Sequence, residues 1–471
     1  MKRIMISVLI VMALQSGCSF KPEYSRPDAP MPQSWPEGDA YSPQPAGTDV
    51  PSVPALEWES FFTDPRMQQV IRIALDENRD LKLALLKVGK TAALYGIQKA
   101  ELFPSFNATA AMSSQWYPAD LSPSGKATTQ EQYSVTLGLS TWEIDFFGRI
   151  RNLSESALET YLATDEARRS TQILLIASTA AAYLNLAADR ESLNLAKATL
   201  KTQQGVYQIV ERRYQVGLAT EVDLRQSQTQ VDTARGDIAR YTQKIALDIN
   251  ALNLLLGSPA PAEVLTVHLS DLPGLPIISA GLSSDVLLNR PDILSAEHQL
   301  KAANANIGAA RAALFPRITL TASAGTAGAL GGLFSSDSGT WTFAPKLVAP
   351  IFDARLWSAY DAARIESEIY LAQYEKTIQT AFREVADALA VDGTVGEQIS
   401  AQASLVNATE IITSLSESRY QKGVSSYLNV LDAQRSLYSA KQALVSLQLA
   451  RIANEVKLYA VLGGGNEPIQ P

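Results

Sequence analysis

Leu428, Asp432 and Arg435 stand at i, i+4 and i+7, a spacing that puts all three on one stripe of a helix while Val430, Ala433 and Leu437, and Tyr427, Leu431 and Tyr438, face elsewhere. These residue types suit the control of passage better than the making of bonds. A carboxylate repeated around an axis repels its copies, a leucine repeated there narrows an opening, and an arginine at i+3 can hold the carboxylate in check. Spacing alone also permits a plainer reading, a solvated Asp and Arg pair beside a stray leucine. Little else in the chain suggests chemistry. Its two histidines, His268 in a Pro-rich connector and His298 in a helical stretch, have neither an HExxH pattern nor a cysteine partner, so both read as structural or solvated. GGLF at 331–334 and GGG at 463–465 lack the strand-to-helix context of a phosphate loop. The expectation is a non-enzyme with no metal site.

The stripe follows RYQKG at 419–423, and RYQVG at 213–217 is the same phrase in the first half of the chain. Each closes a long proline-free run rich in Ala, Leu, Gln, Glu, Lys and Arg, about 149–214 and about 355–420, that reads as one helix. At 1.5 Å per residue such a run extends about 100 Å. The glycines can stop each helix in a left-handed conformation and turn the chain back, making two hairpin tips. Tyr214 and Tyr420 can hydrogen-bond across helix pairs as latches, or simply pack. Val216, Gly217 and Leu218, with Gly423, Val424 and Ser425, form the turns themselves.

The tips belong to a tandem duplication. NRDLKLALLKVGKTAALYGIQKAELFPSF, ending at Phe106, aligns with RPDILSAEHQLKAANANIGAARAALFPRI, ending at Ile318, sharing Asp80 with Asp292 and LFP at 102–104 with 314–316. Each half reads helix, LFP breaker, strand, polar loop, strand, long helix, tip and return helix. The first repeat covers 63–257 with strands near 104–115 and 130–145 and a tip near 214–222. The second covers 285–462 with strands near 316–326 and 340–352 and a tip near 420–428. A connector fills 258–284, and 463–471 is a tail.

The strands alternate with period two. Tyr133, Val135, Leu137 and Leu139 share one face and Ser134, Thr136, Gly138 and Ser140 the other; Ile318, Leu320 and Ala322 oppose Arg317, Thr319, Thr321 and Ser323. Apolar out and small polar in describes a barrel wall, with Trp116, Tyr117, Tyr133, Trp341 and Phe343 placed for an aromatic girdle. A sandwich core is the other reading. Four strands cannot close a membrane barrel and hydrocarbon tolerates no open edge, so copies must share one. The expected fold is a mixed α+β membrane protein: four strands per chain of a 12-stranded trimeric barrel, continued by long helices as a periplasmic α-helical barrel.

The N-terminus supports export. Lys2 and Arg3 precede an apolar run from Ile4 to Leu14, the pattern of a signal peptide over 1–17. Cys18 is the lone cysteine, which excludes an internal disulfide and places the thiol at the expected cut. Residues 18–62 are Pro-rich and read as an extended strap. The formal charge of -8, without any basic run, argues against a nucleic-acid partner.

Taken together, WEIDFFGRIR at 142–151, NRPDI at 289–293, ANANIGAARAALFP at 303–316, QTAFREVADALA at 379–390, RYQKGVSSYLNVLDAQRSLYSAKQ at 419–442 and LYAVLGGG at 458–465 resemble outer-membrane efflux proteins of the TolC/OprM type. The likeness is to the lipoprotein branch serving resistance-nodulation-division pumps, in which the cysteine matching Cys18 is acylated and anchors the chain to outer-membrane lipid. No other cofactor is implied. The resemblance implies a homotrimeric conduit in the outer membrane of a Gram-negative bacterium, closed at its periplasmic tip until a periplasmic adaptor and an inner-membrane pump engage. It places Leu428 and Asp432 at a constriction and the adaptor at the two turns. Drugs or other small toxic compounds are the expected cargo. A copper or silver duct is an alternative, although the mature part offers only Met31, Met67 and Met112 as soft ligands. A protein-secretion duct and a trimeric adhesin are further alternatives. The paired tips argue against the adhesin.

Overall fold

The computed structural model describes residues 20–41, 53, 56–276, 278, 280 and 283–465. The expected signal peptide, Cys18 and the end of the tail lie outside them. The helices are α1 (Trp58–Phe61), α2 (Pro65–Glu77), α3 (Arg79–Ala100), α4 (Arg149–Gln215), α5 (Glu221–Leu256), α6 (Pro291–Ala312), α7 (Ala354–Gln421) and α8 (Tyr427–Val461); the strands are β1 (Phe106–Tyr117), β2 (Thr128–Ile144), β3 (Arg317–Gly328) and β4 (Gly339–Val348). The chain divides into two compact units.

The first unit holds the chain up to Asp28, Lys87–Asp165 and Ser295–Tyr374. Its centre is a four-stranded antiparallel sheet in the order β1-β2-β3-β4. The register aligns the period-two pattern across strands: Phe106 faces Leu139, Ala110 faces Val135, Leu137 faces Ala324 and Ala322 faces Phe343. Apolar residues therefore form one continuous face, and Thr109 with Thr136 and Ser323 with Thr342 fall on the other. A bulge between Leu139 and Trp142 shifts the β2–β3 register, which strengthens local twist. Trp116 lies on the apolar face. Tyr117 does not: alternation turns it to the polar face, where its hydroxyl donates to Gln115 Oε1 at 2.9 Å, so it leaves the expected girdle. β4 stops at Val348, short of the expected 352, because Pro350 follows and cannot donate to a ladder.

The apolar face is not a sandwich core. Met112, Leu137, Trp341 and Phe343 are all more than half exposed, and β1 and β4 each have a single neighbour in the sheet. Below the strands the strap is pinned in a seam between α4 and α6. Phe20 stacks on Phe315 at 4.4 Å and on Phe147 at 5.9 Å, and Lys21 pairs with Glu155 at 2.5 Å. The buried Glu297 receives Tyr24, Arg26 and Lys301.

The second unit holds Ala29–Leu86, Glu166–Leu294 and the chain from Glu375 on. Residues 29–41 carry no regular structure, as the prolines require. The strap region is not extended throughout: α1 forms within 18–62 and buries Phe61 flat against Tyr459 at 4.1 Å. Asp64 caps α2, accepting from the Arg66 and Met67 amides. Part of α4 is long and apolar enough to cross a membrane, yet 61% of that window is buried inside the chain, among Ile176, Tyr183, Leu184 and Leu186.

Candidate functional site

Both tips lie in the second unit, and both are built the same way. Gly217 and Gly423 adopt φ of +76° and +73°. The Leu218 amide donates to the Arg213 carbonyl at 2.7 Å and Gly217 to Tyr214 at 3.0 Å; Val424 donates to Arg419 at 2.9 Å and Gly423 to Tyr420 at 2.9 Å. These are Schellman caps, and they explain the repeated phrase: Arg and Tyr supply the accepting carbonyls, and glycine takes the left-handed position. Thr220 then starts α5 with a reciprocal capping box to Asp223. The turns leave Val216, Leu218 and Val424 exposed, an apolar surface at the end of each hairpin. Ser425 is half-buried there.

The return helix α8 has two unlike faces. Tyr427, Val430, Leu431 and Ala433 are buried. Leu428, 51% exposed, Asp432 and Arg435 share the open side. Val210, Tyr420, Tyr427, Val430 and Leu431 form one apolar cluster with Val206, Ala219 and Leu224 packed against it, so the two hairpins are joined by burial at their tips. Tyr420 and Tyr427 lie 5.4 Å apart. Burial pushes the pKa of both phenols up, which keeps them neutral.

Two contacts differ from expectation. Arg435 does not hold Asp432; its Nε donates across to Gln230 Oε1 on α5 at 3.3 Å, because a long arginine stem reaches the neighbouring hairpin as easily as its own helix. Among the described residues Asp432 has no ion pair. Nor do the tyrosines latch by hydrogen bonds within the chain. The Tyr420 hydroxyl is buried without a partner, and Tyr214 is 41% exposed. The cross-hairpin tie comes from Arg213, whose guanidinium lies 4.7 Å over the Tyr420 ring and whose Nη1 donates to the Tyr420 carbonyl at 3.2 Å. Arg213 sits inside the repeated RYQ phrase, so the duplication itself was its signal. Gln434 to Glu417 at 2.7 Å and Gln442 to the Tyr241 hydroxyl at 3.0 Å extend the polar ties up the helices.

Such a site can exclude, repel and part. His298 Nδ1 meets Glu159 at 2.5 Å and His268 Nδ1 meets Asn194 at 3.4 Å, both as structural contacts. No cluster of three or more His, Cys, Asp or Glu among the described residues is placed to hold a metal.

The family model described as "Outer membrane efflux protein" matches residues 70–258 and again 282–464. The chain is 46% identical over 469 residues, 99% of its own length and 96% of the relative's, to the antibiotic efflux pump outer membrane protein ArpC of Pseudomonas putida. It is 40% identical to the cation efflux system protein CusC of Escherichia coli O157:H7, with 97% of each chain covered. The crystal structure of the open state of the MtrE outer membrane channel of Neisseria gonorrhoeae superposes with a TM-score of 0.86 at 36% identity, covering 96% of this chain and 99% of that one.

Proposed function

The chain belongs to the outer membrane efflux protein family, and from that premise we propose that it is the gated outer-membrane duct of a tripartite efflux assembly. Three copies complete a 12-stranded barrel, the long helices continue it into the periplasm, and Cys18 carries a lipid anchor. A periplasmic adaptor docks on the exposed apolar turns around Gly217 and Gly423. A resistance-nodulation-division pump supplies the energy, and the duct conducts passively.

The observation that carries this reading is the two-faced α8. Its open stripe presents Leu428 and the unpaired Asp432, residues that have no use in a lone chain but make an apolar ring and an acidic ring when three copies surround an axis. Opening then requires the second hairpin to leave the first, breaking the Arg435–Gln230 and Arg213–Tyr420 ties. In planar bilayers, Leu428→Ala combined with Asp432→Ala raises single-channel conductance several-fold; unchanged conductance removes both residues from the gate.

Small drugs are the proposed cargo, by likeness to the antibiotic relative. The cation relative supports a metal duct as the second reading, and sensitivity of a deletion strain separates them. Loss of tolerance to copper and silver alone, with drug tolerance intact, overturns the drug assignment.

A further inference from the structure

A cavity of about 590 Å³ opens in the second unit, where the connector crosses α4, α7 and α8. On α8 it is lined by Lys441, Leu444, Gln448, Arg451 and Glu455, whose spacing of i, i+3, i+7, i+10 and i+14 makes one stripe of the helix. That wall is fixed in advance. Gln402 Nε2 donates to the Ala440 carbonyl and Asn454 Nδ2 to the Ala388 carbonyl, each at 2.9 Å, so α8 is pinned to α7 at both ends of the stripe. Facing it, the connector offers one short 3-10 turn, Leu269–Asp271, and irregular chain through Gly274, which do not fill the space between the helices. The stripe begins about 20 Å along α8 from the tip, well away from Leu428 and Asp432.

We propose that this cavity binds an amphipathic organic cation, a molecule with an apolar body of a few fused rings and a delocalised or alkylated nitrogen charge. Its volume falls inside the ordinary small-molecule range of about 300–1,000 Å³. Leu195, Leu272, Leu275, Val406, Leu444 and Ile452 supply apolar walls from α4, the connector, α7 and α8. The sign of the ligand follows from the charges that face the space. Of the two cations there, Lys441 is taken by Glu410 at 2.6 Å, and Arg451, about half exposed, reaches Glu455 only at 3.7 Å. Among the described residues Glu191 has no ion pair and accepts from the Ser270 hydroxyl at 3.4 Å. Burial raises the Glu455 pKa, with Arg451 opposing and Asp392 adding to the rise, as for a carboxylate short of a counter-ion. Glu191 and Glu455 against one loosely held arginine leave surplus negative charge, which an organic cation neutralises while its body covers the leucines. An organic anion meets the same two glutamates as repulsion. Every lining residue comes from one chain, so the site does not depend on how many copies share the barrel.

The full chain in neutral phosphatidylcholine nanodiscs is titrated with tetramethylrhodamine ethyl ester, a cationic xanthene dye, and with fluorescein, an anionic one. Fluorescence anisotropy is read against empty discs. Saturable binding of the cationic dye and none of fluorescein is expected, and Glu191→Gln combined with Glu455→Gln should weaken it about ten-fold or more. Leu272→Trp, which fills the space from the connector, should weaken it as much, with melting curves confirming that both variants are folded. No saturable binding, equal binding of fluorescein, or an affinity unchanged in both variants overturns the site. Loss of binding in Asp432→Ala, with full retention in the two cavity variants, places the dye at the tip and overturns it as well.

Discussion

Gly423 and Gly257 take nearly the same left-handed backbone, φ of +73° and +67°, but in different surroundings. A Cβ at Gly423 meets nothing within 4 Å, whereas at Gly257 it would lie 2.4 Å from the Glu77 carbonyl oxygen. Gly423→Ala therefore costs about 1–2 kcal/mol, the backbone penalty alone, and Gly257→Ala costs more because backbone must also move. Thermal melting of the two variants in detergent should rank them in that order, and equal shifts contradict the steric difference. Tip glycines and their RYQ carbonyls were legible from the sequence because a Schellman cap uses only local chain. The partners of Arg213 and Arg435 were not. Tyr420 and Gln230 each lie about two hundred residues from the arginine they meet, and no spacing rule connects them.

On the scale of elements, the α4–α5 hairpin contains a charge conflict. Burial and then the adjacent Asp189 push the Asp248 carboxyl up from its ordinary 3.8 to about 6, with Lys244 opposing; Lys244 itself pairs with Asp189 at 3.4 Å. The folded chain thus holds this proton more tightly than the unfolded chain. Its stabilising effect is full below the unfolded pKa near 4 and is lost as pH rises through about 6. Asp248→Asn should melt higher than the parent at about pH 7 and show a smaller difference at about pH 4. A pH-independent difference would mean that the carboxyl does not titrate in this window. Helix lengths were readable because proline-free, high-propensity runs end at glycine, and strand faces because alternation has period two. Tyr117 obeys that alternation and so leaves the girdle. Its aromatic character suggested the lipid face, but period two along β1 places it opposite Trp116.

For the molecule as a whole, the strap ties the two repeats together within the first unit. Phe20 reaches residues of both repeats through Phe147 and Phe315, and Glu297 gathers Tyr24, Arg26 and Lys301. Burial would raise the Glu297 pKa, but hydrogen bonds from Arg26 and Lys301 outweigh it and hold the carboxyl down. Removing the carboxylate leaves two cations without their acceptor. Glu297→Ala should cost about 2–3 kcal/mol, less than a fully buried pair because Arg26 is half in solvent, and should make residues 20–28 accessible to limited proteolysis. Unchanged melting and cleavage would show that the strap is a passenger.

The amino-acid sequence by itself determined the duplication, the helix and strand periods, the two glycine-ended tips and the insufficiency of four strands. Each of these depends on local geometry or on counting. Tertiary structure alone decided which side chains tie hairpin to hairpin, which face of α8 stays open, where the strap runs and which helices flank the open sheet edges. Those outcomes depend on elements far apart in the chain arriving side by side. The β2–β3 pairing brings α4 and α6 together and leaves α3 and α7 at the open edges.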